Sequence, residues 1–220
     1  MIMAAAADMT LDELQLELAP RIAAAAIFDG WSDAALVSAS AAAGVDPAVA
    51  RLAFPGGPME MISAWVSSVD TRMQSAFDRD ILAQMPIRER IRALVWFRLE
   101  AIVGLEEALR RAVAIEAMPQ HLARTAKLAW SSADAMWRLA GDRATDYNHY
   151  TKRAILAGVY AATLAVFVDD ESDDKAETRA FLDRRIEGVM KFEKAKARWL
   201  GKREHFDPVR FIGRLRYPAR

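Results

Sequence analysis

Apolar residues recur at spacings of three and four from Leu11 almost to the end of the chain, and segments that alternate apolar and polar residues are scarce. That period belongs to the α-helix, whose successive turns align such positions on one face. An all-α protein follows. Much of the 53% hydrophobic content is alanine, a strong helix former. The 220 residues suffice for a sizeable core.

Caps and breakers divide the helical text. Thr10 with Glu13 three residues on reads as a capping box, opening a helix to about Phe28 that stops at Asp29-Gly30. Ser32 or Asp33 opens a second, ending at Gly44, and Asp46-Pro47 opens a short third. Phe54-Pro55-Gly56-Gly57-Pro58 breaks it. Longer helices are expected over 59–84, 88–116, from Pro119 to Gly141, over 146–168 and over 175–200, with the acidic run 169–174 as a loop. Residues 33–54 have the plan of a helix-turn-helix. The expected organisation is a helix-turn-helix-like lobe (1–57), a helical ligand-binding bundle (58–200) and a basic amphipathic tail (201–220).

Residues 1–190 hold 20 Lys/Arg against 27 Asp/Glu, whereas 191–220 hold 10 against 3. A basic tail on an acidic body fits an anionic partner such as a membrane surface. Phe211, Ile212 and Leu215 lie at amphipathic spacing with Pro208, and Arg210 and Arg214 lie off that stripe. Docking of the same segment on its own body or on a second copy fits the pattern equally. No uninterrupted apolar run reaches the ~18 residues of a membrane span. The N-terminus lacks the basic region of a secretory signal and the arginines of a transit peptide, so a cytoplasmic protein with peripheral membrane contact is expected. Cysteine is absent, which excludes disulfides and thiol chemistry.

Catalytic motifs are missing: no glycine-rich phosphate loop, no HExxH, no Gly-x-Ser-x-Gly. His121, His149 and His205 lack the helical partners of a metal site. No enzyme, metal or cofactor is expected. The short helix from Asp46 to Phe54 carries one cation, Arg51, and the helix before it none, so phosphate contact is poorly supplied and no nucleic-acid partner is expected. Aromatic and apolar residues of the long helices, Trp96, Phe97, Trp130, Met136, Trp137, Leu156, Tyr160 and Leu164, could enclose an apolar ligand. Periodicity does not separate an empty cavity from a filled core.

The run DYNHYTKRAILAGVY, residues 146–160, is polar and aromatic for two turns and apolar all round thereafter. On a helix, Asp146, His149, Tyr150 and Arg153 form one stripe, an interface-like patch at the start of a buried shaft. The longer run 137–156, WRLAGDRATDYNHYTKRAIL, resembles the signature of the Coq-nine family of ubiquinone-biosynthesis accessory proteins. Weaker similarity extends to Gly30-Trp31-Ser32, Phe54-Pro55-Gly56-Gly57 and Phe181 to Ile186, so that it covers most of residues 10–190. The resemblance implies a TetR-regulator-like fold without repressor activity, and an isoprenoid lipid or quinone held in the pocket of the bundle. It also implies homodimers, membrane contact through the C-terminal helix, and association with the di-iron demethoxyubiquinone hydroxylase at the patch around Asp146, His149, Tyr150 and Arg153. The family commonly carries tryptophan where this chain has His149. The alternative reading is a TetR-type ligand-responsive transcriptional repressor.

Overall fold

The computed structural model describes residues 9–143 and 147–201, which form ten α-helices and no strand. Asp146 and the tail residues Arg210, Phe211, Ile212, Arg214 and Leu215 lie outside the described residues.

The first three helices follow their caps. α1 (Leu11–Asp29) is opened by Thr10 and Glu13 in the expected capping box. It runs through Pro20, which removes one helical hydrogen bond; burial of Leu14, Leu18, Ile22, Ala23 and Ala26 on one face offsets that cost. α2 (Asp33–Ala43) is capped by the Ser32 hydroxyl and ends at Gly44 with φ 68°, a left-handed stop that suits glycine. α3 (Pro47–Ala53) starts from the Asp46 carboxylate and a proline in its first turn.

Two of the expected long helices are each split. The segment expected as one helix over 59–84 is α4 (Pro58–Ala76) followed by α5 (Arg79–Ala83), because Asp78 accepts from the Asp80 amide at 2.7 Å and caps a new start. The segment over 88–116 is α6 (Ile87–Glu100) and α7 (Glu106–Glu116), separated by a turn in which Gly104 adopts φ 80°. This break re-aims α7 so that it packs on α1, α4, α8 and α9 instead of continuing along α6. α8 (Leu122–Leu139) follows a 3₁₀ turn at Pro119–His121, α9 spans Tyr147–Asp169 and α10 Ala176–Gly201.

The N-terminal helices dock on the bundle through α1 against α4 and α7. Trp31, almost fully buried, donates its indole N–H to the Ala108 carbonyl at 2.9 Å and leans on Trp65 with ring centroids 5.3 Å apart. Arg90 gathers the carbonyls of Met85 (2.8 Å), Ala83 (2.7 Å) and Ala140 (2.7 Å), tying the end of α5 to the end of α8. α9 adds to the expectation from uninterrupted runs: Asn148–Asp169 contains an 18-residue window of mean hydropathy 1.4 and is long and apolar enough to cross a membrane by length and composition. The interspersed polar residues broke the uninterrupted run but leave the average high. In the fold this helix carries the buried Leu156 and Phe167 and packs between α8 and α10.

Candidate functional site

A cavity of about 500 Å³ opens between α4, α6, α7, α8 and α9, within the ~300–1,000 Å³ of small-molecule sites. Ile62, Trp65, Val66 and Val69 of α4 form one wall, Leu109 and Val113 of α7 a second, Leu122 and Leu128 of α8 a third, and Leu164 and Val168 of α9 a fourth. Between them stand Ala112, Ala129, Ala157, Ala161 and Ala165. These short side chains, at helical spacing on three converging helices, leave the space that larger ones would fill. A second apolar cavity of about 240 Å³ lies between α6, α9 and α10 and is lined by Trp137 and Leu156.

Four of the eight residues expected to line a pocket therefore do so: Tyr160 and Leu164 in the larger cavity, Trp137 and Leu156 in the smaller. The other four line neither. Met136 is fully buried core. Phe97 packs edge-on against Phe77 at 5.6 Å. Trp96 is covered by the Arg179 guanidinium, 3.6 Å from its ring centroid. Trp130 sits with His149 (6.3 Å) and Tyr150 (6.0 Å), which themselves meet at 5.1 Å. Trp130 thus belongs to the aromatic surface patch, not to the pocket.

Arg153 makes the reverse move. It was expected on the patch, yet its side chain is 2% exposed. Its guanidinium reaches Asp134 at 2.5 Å and Asp142 at 3.0 Å, and donates to the His149 carbonyl at 3.0 Å. Two acids from α8 and the turn after it draw the cation inward, because a buried guanidinium needs counter-charges with full hydrogen bonding. Helical spacing gives the stripe but not the depth at which each member sits. Of the expected docking residues with described side chains, His149 is partly and Tyr150 largely exposed.

Polar groups at the larger cavity are few. Arg98 is one, paired with Asp70 and Ser132. Glu116 is another; burial pushes its carboxyl above the usual range. Among the described residues no group of three or more His, Asp or Glu is placed to hold a metal ion. On the N-terminal lobe, Arg51, the one cation of α3, is held by Asp33 through two bonds of 2.7 and 2.8 Å. The surface beside it offers Val49 and Leu52.

The architecture is that of TetR-type regulators, with an apolar cavity in the C-terminal bundle. A TetR transcriptional regulator from Nitrosomonas europaea superposes with a TM-score of 0.58 at 20% identity, covering 80% of this chain and 95% of that one, a likeness of fold. Within that fold, residues 122–193 match the COQ9 family model. The chain is 33% identical over 168 residues to the mitochondrial ubiquinone biosynthesis protein COQ9 of Rattus norvegicus, covering 73% of this chain and 54% of the relative. It is 31% identical to the Homo sapiens protein of that name (73% and 52%), and 27% identical to that of Schizosaccharomyces pombe (72% and 62%). The chain is thus similar to COQ9 proteins over about 73% of its length. The chain spans about half the length of the mammalian relatives it matches.

Proposed function

We propose that the chain is a non-enzymatic lipid-binding accessory protein of ubiquinone biosynthesis. It holds a polyprenylated quinone intermediate in the cavity between α4, α7, α8 and α9. It presents that intermediate to a partner, the demethoxyubiquinone hydroxylase, at a membrane surface. The observation that carries this reading is the cavity itself: an apolar space with alanine-thinned walls, inside a chain similar to proteins named for ubiquinone biosynthesis. Moving an isoprenoid tail from bilayer to cavity exchanges one apolar surrounding for another, so the net gain per unit area falls far below the ~25 cal/mol per Å² of leaving water. Selectivity must then come from shape and from the few polar groups. The aromatic cluster Trp130, His149 and Tyr150 supplies the docking patch, being of the residue types that anchor interfaces. The basic segment after Gly201 contacts anionic lipid, and a second copy completes a homodimer. The repressor reading is disfavoured by charge, since the lone cation of α3 is already paired.

The test is organic extraction of protein purified without detergent, followed by mass spectrometry. The expected result is a stoichiometric isoprenoid lipid that is lost when the cavity is blocked. Protein that carries no lipid and takes up none from vesicles containing isoprenoid quinones would refute the proposal.

A further inference from the structure

Arg98 is the anomaly of the cavity wall. Its side chain is 2% exposed, at the junction of α6 with α4, α8 and α9. One terminal nitrogen pairs with Asp70, and the other donates to the Ser132 hydroxyl at 3.0 Å. That hydroxyl in turn donates to the second Asp70 oxygen at 3.3 Å. The Tyr160 ring lies over the guanidinium, its centroid 4.9 Å from Cζ. The third nitrogen, Nε, is buried and its N–H has no hydrogen-bond partner among the described residues. A buried donor left unmade is costly, and proteins seldom keep one without a use.

The charge balance indicates what would satisfy it. Asp70 already neutralises Arg98, so an anionic head group would bring a surplus buried charge into a site whose other acid, Glu116, already resists ionisation. A neutral oxygen brings none. It gains a charge-assisted hydrogen bond, and the apolar walls take the rest of the ligand.

We propose that Arg98 is the head-group anchor of this cavity, donating Nε–H to a neutral carbonyl or ether oxygen of an otherwise apolar ligand. Tyr160 shifts along the wall to admit that oxygen, and Asp70 and Ser132 hold the guanidinium in place. The cavity then prefers oxygenated neutral lipids, such as quinones and aryl ethers, over hydrocarbons and over lipid acids. This inference rests on the lipid-binding reading and names the chemistry of the head group.

The experiment compares three probes by calorimetric titration of the full chain: a benzoquinone carrying two isoprene units, a benzene ring carrying the same chain, and the isoprenoid carboxylic acid of equal length. The quinone is expected to bind about 10-fold more tightly than the hydrocarbon, as one hydrogen bond to a charged group implies, and more tightly than the acid. Arg98→Lys keeps the charge opposite Asp70 but puts a methylene where Nε stood; it is expected to bind the quinone and the hydrocarbon equally. Equal binding of both by the unaltered protein, or tightest binding of the acid, overturns the anchor while leaving lipid binding intact. Failure of all three probes overturns both. Should Arg98→Lys not fold, the infrared band of a ¹³C-labelled quinone carbonyl in the unaltered protein decides: a band lowered relative to apolar solvent supports the anchor, and an unshifted band overturns it.

Discussion

Tyr150 and Arg153 stand three residues apart on one side of α9, yet Tyr150 is 61% exposed and the Arg153 side chain 2% exposed. The helix dips between them into the contact with α8, where Asp134 and Asp142 wait for the cation. Removing one member of such a buried set strands the others, at about 3–5 kcal/mol. Arg153→Ala is therefore expected to lower unfolding free energy by that amount in urea titration. Tyr150→Ala is expected to change it by no more than about 0.5 kcal/mol while weakening hydroxylase capture. Arg153, expected on the patch, is buried instead, so loss of binding on its substitution would report loss of fold.

Trp31 joins the N-terminal helices to the bundle. Trp31→Ala removes a buried indole beside Trp65 and is expected to cost about 3–5 kcal/mol. Trp31→Phe keeps most of the packing but removes the indole hydrogen bond to the Ala108 carbonyl, an expected cost of about 0.5–1.5 kcal/mol. Denaturant midpoints of the two variants check both; a Trp31→Phe midpoint equal to that of the unaltered protein would mean that the hydrogen bond contributes nothing.

Glu116 gives a pH signature on the cavity rim. Its folded-state pKa is raised by burial, so the folded protein holds the proton more tightly than the unfolded chain. The stability linked to this group is full below the ordinary carboxyl value of about 4.3 and is lost as pH rises through the folded value. Glu116→Gln is expected to melt above the unaltered protein at pH 7 and level with it near pH 4. A variant less stable at pH 7 would show that the carboxylate is paired rather than stranded.

Asp170 gives the opposite sign. Burial opposes its ionisation, but hydrogen bonds from the Ser172 and Thr178 hydroxyls and amides outweigh it and hold the carboxyl well below its usual range. Its stabilisation is complete above about pH 3.9 and is lost as pH falls from there toward the folded value. Asp170→Ala should cost about 1–3 kcal/mol at pH 7, by unmaking the turn that starts α10. The difference from the unaltered protein should narrow below pH 3; a pH-independent difference would contradict the assignment.

The helix starts were legible because caps are local: Thr10, Ser32 and Asp46 act on amides two or three residues away. The breaks at Asp78 and Gly104 were harder, since apolar spacing continues across each and only the packing of α5 and α7 reveals the turn. The aromatic and large residues expected in the pocket were half misplaced, because a stripe identifies a face and not what that face meets. Trp130 meets the surface patch, and Met136 meets core. The better signal was the alanines. Ala157, Ala161 and Ala165 repeat at four on α9 and read first as helix formers, but space in a helical bundle is made where side chains are short. Arg98 and Asp70 lie 28 residues apart, and nothing in local pattern joins them.

In the proposed function the cavity between α4, α6, α7, α8 and α9 holds the lipid. Ala161 lies on its wall and is exposed, so the indole of Ala161→Trp occupies the cavity without displacing core. The most direct measurement is calorimetric titration of the unaltered protein and Ala161→Trp with a benzoquinone bearing two isoprene units, at two temperatures. One saturable site with a negative heat-capacity change is expected, as apolar burial requires, abolished in a variant of unchanged helicity. Undiminished binding by Ala161→Trp would contradict the proposed function.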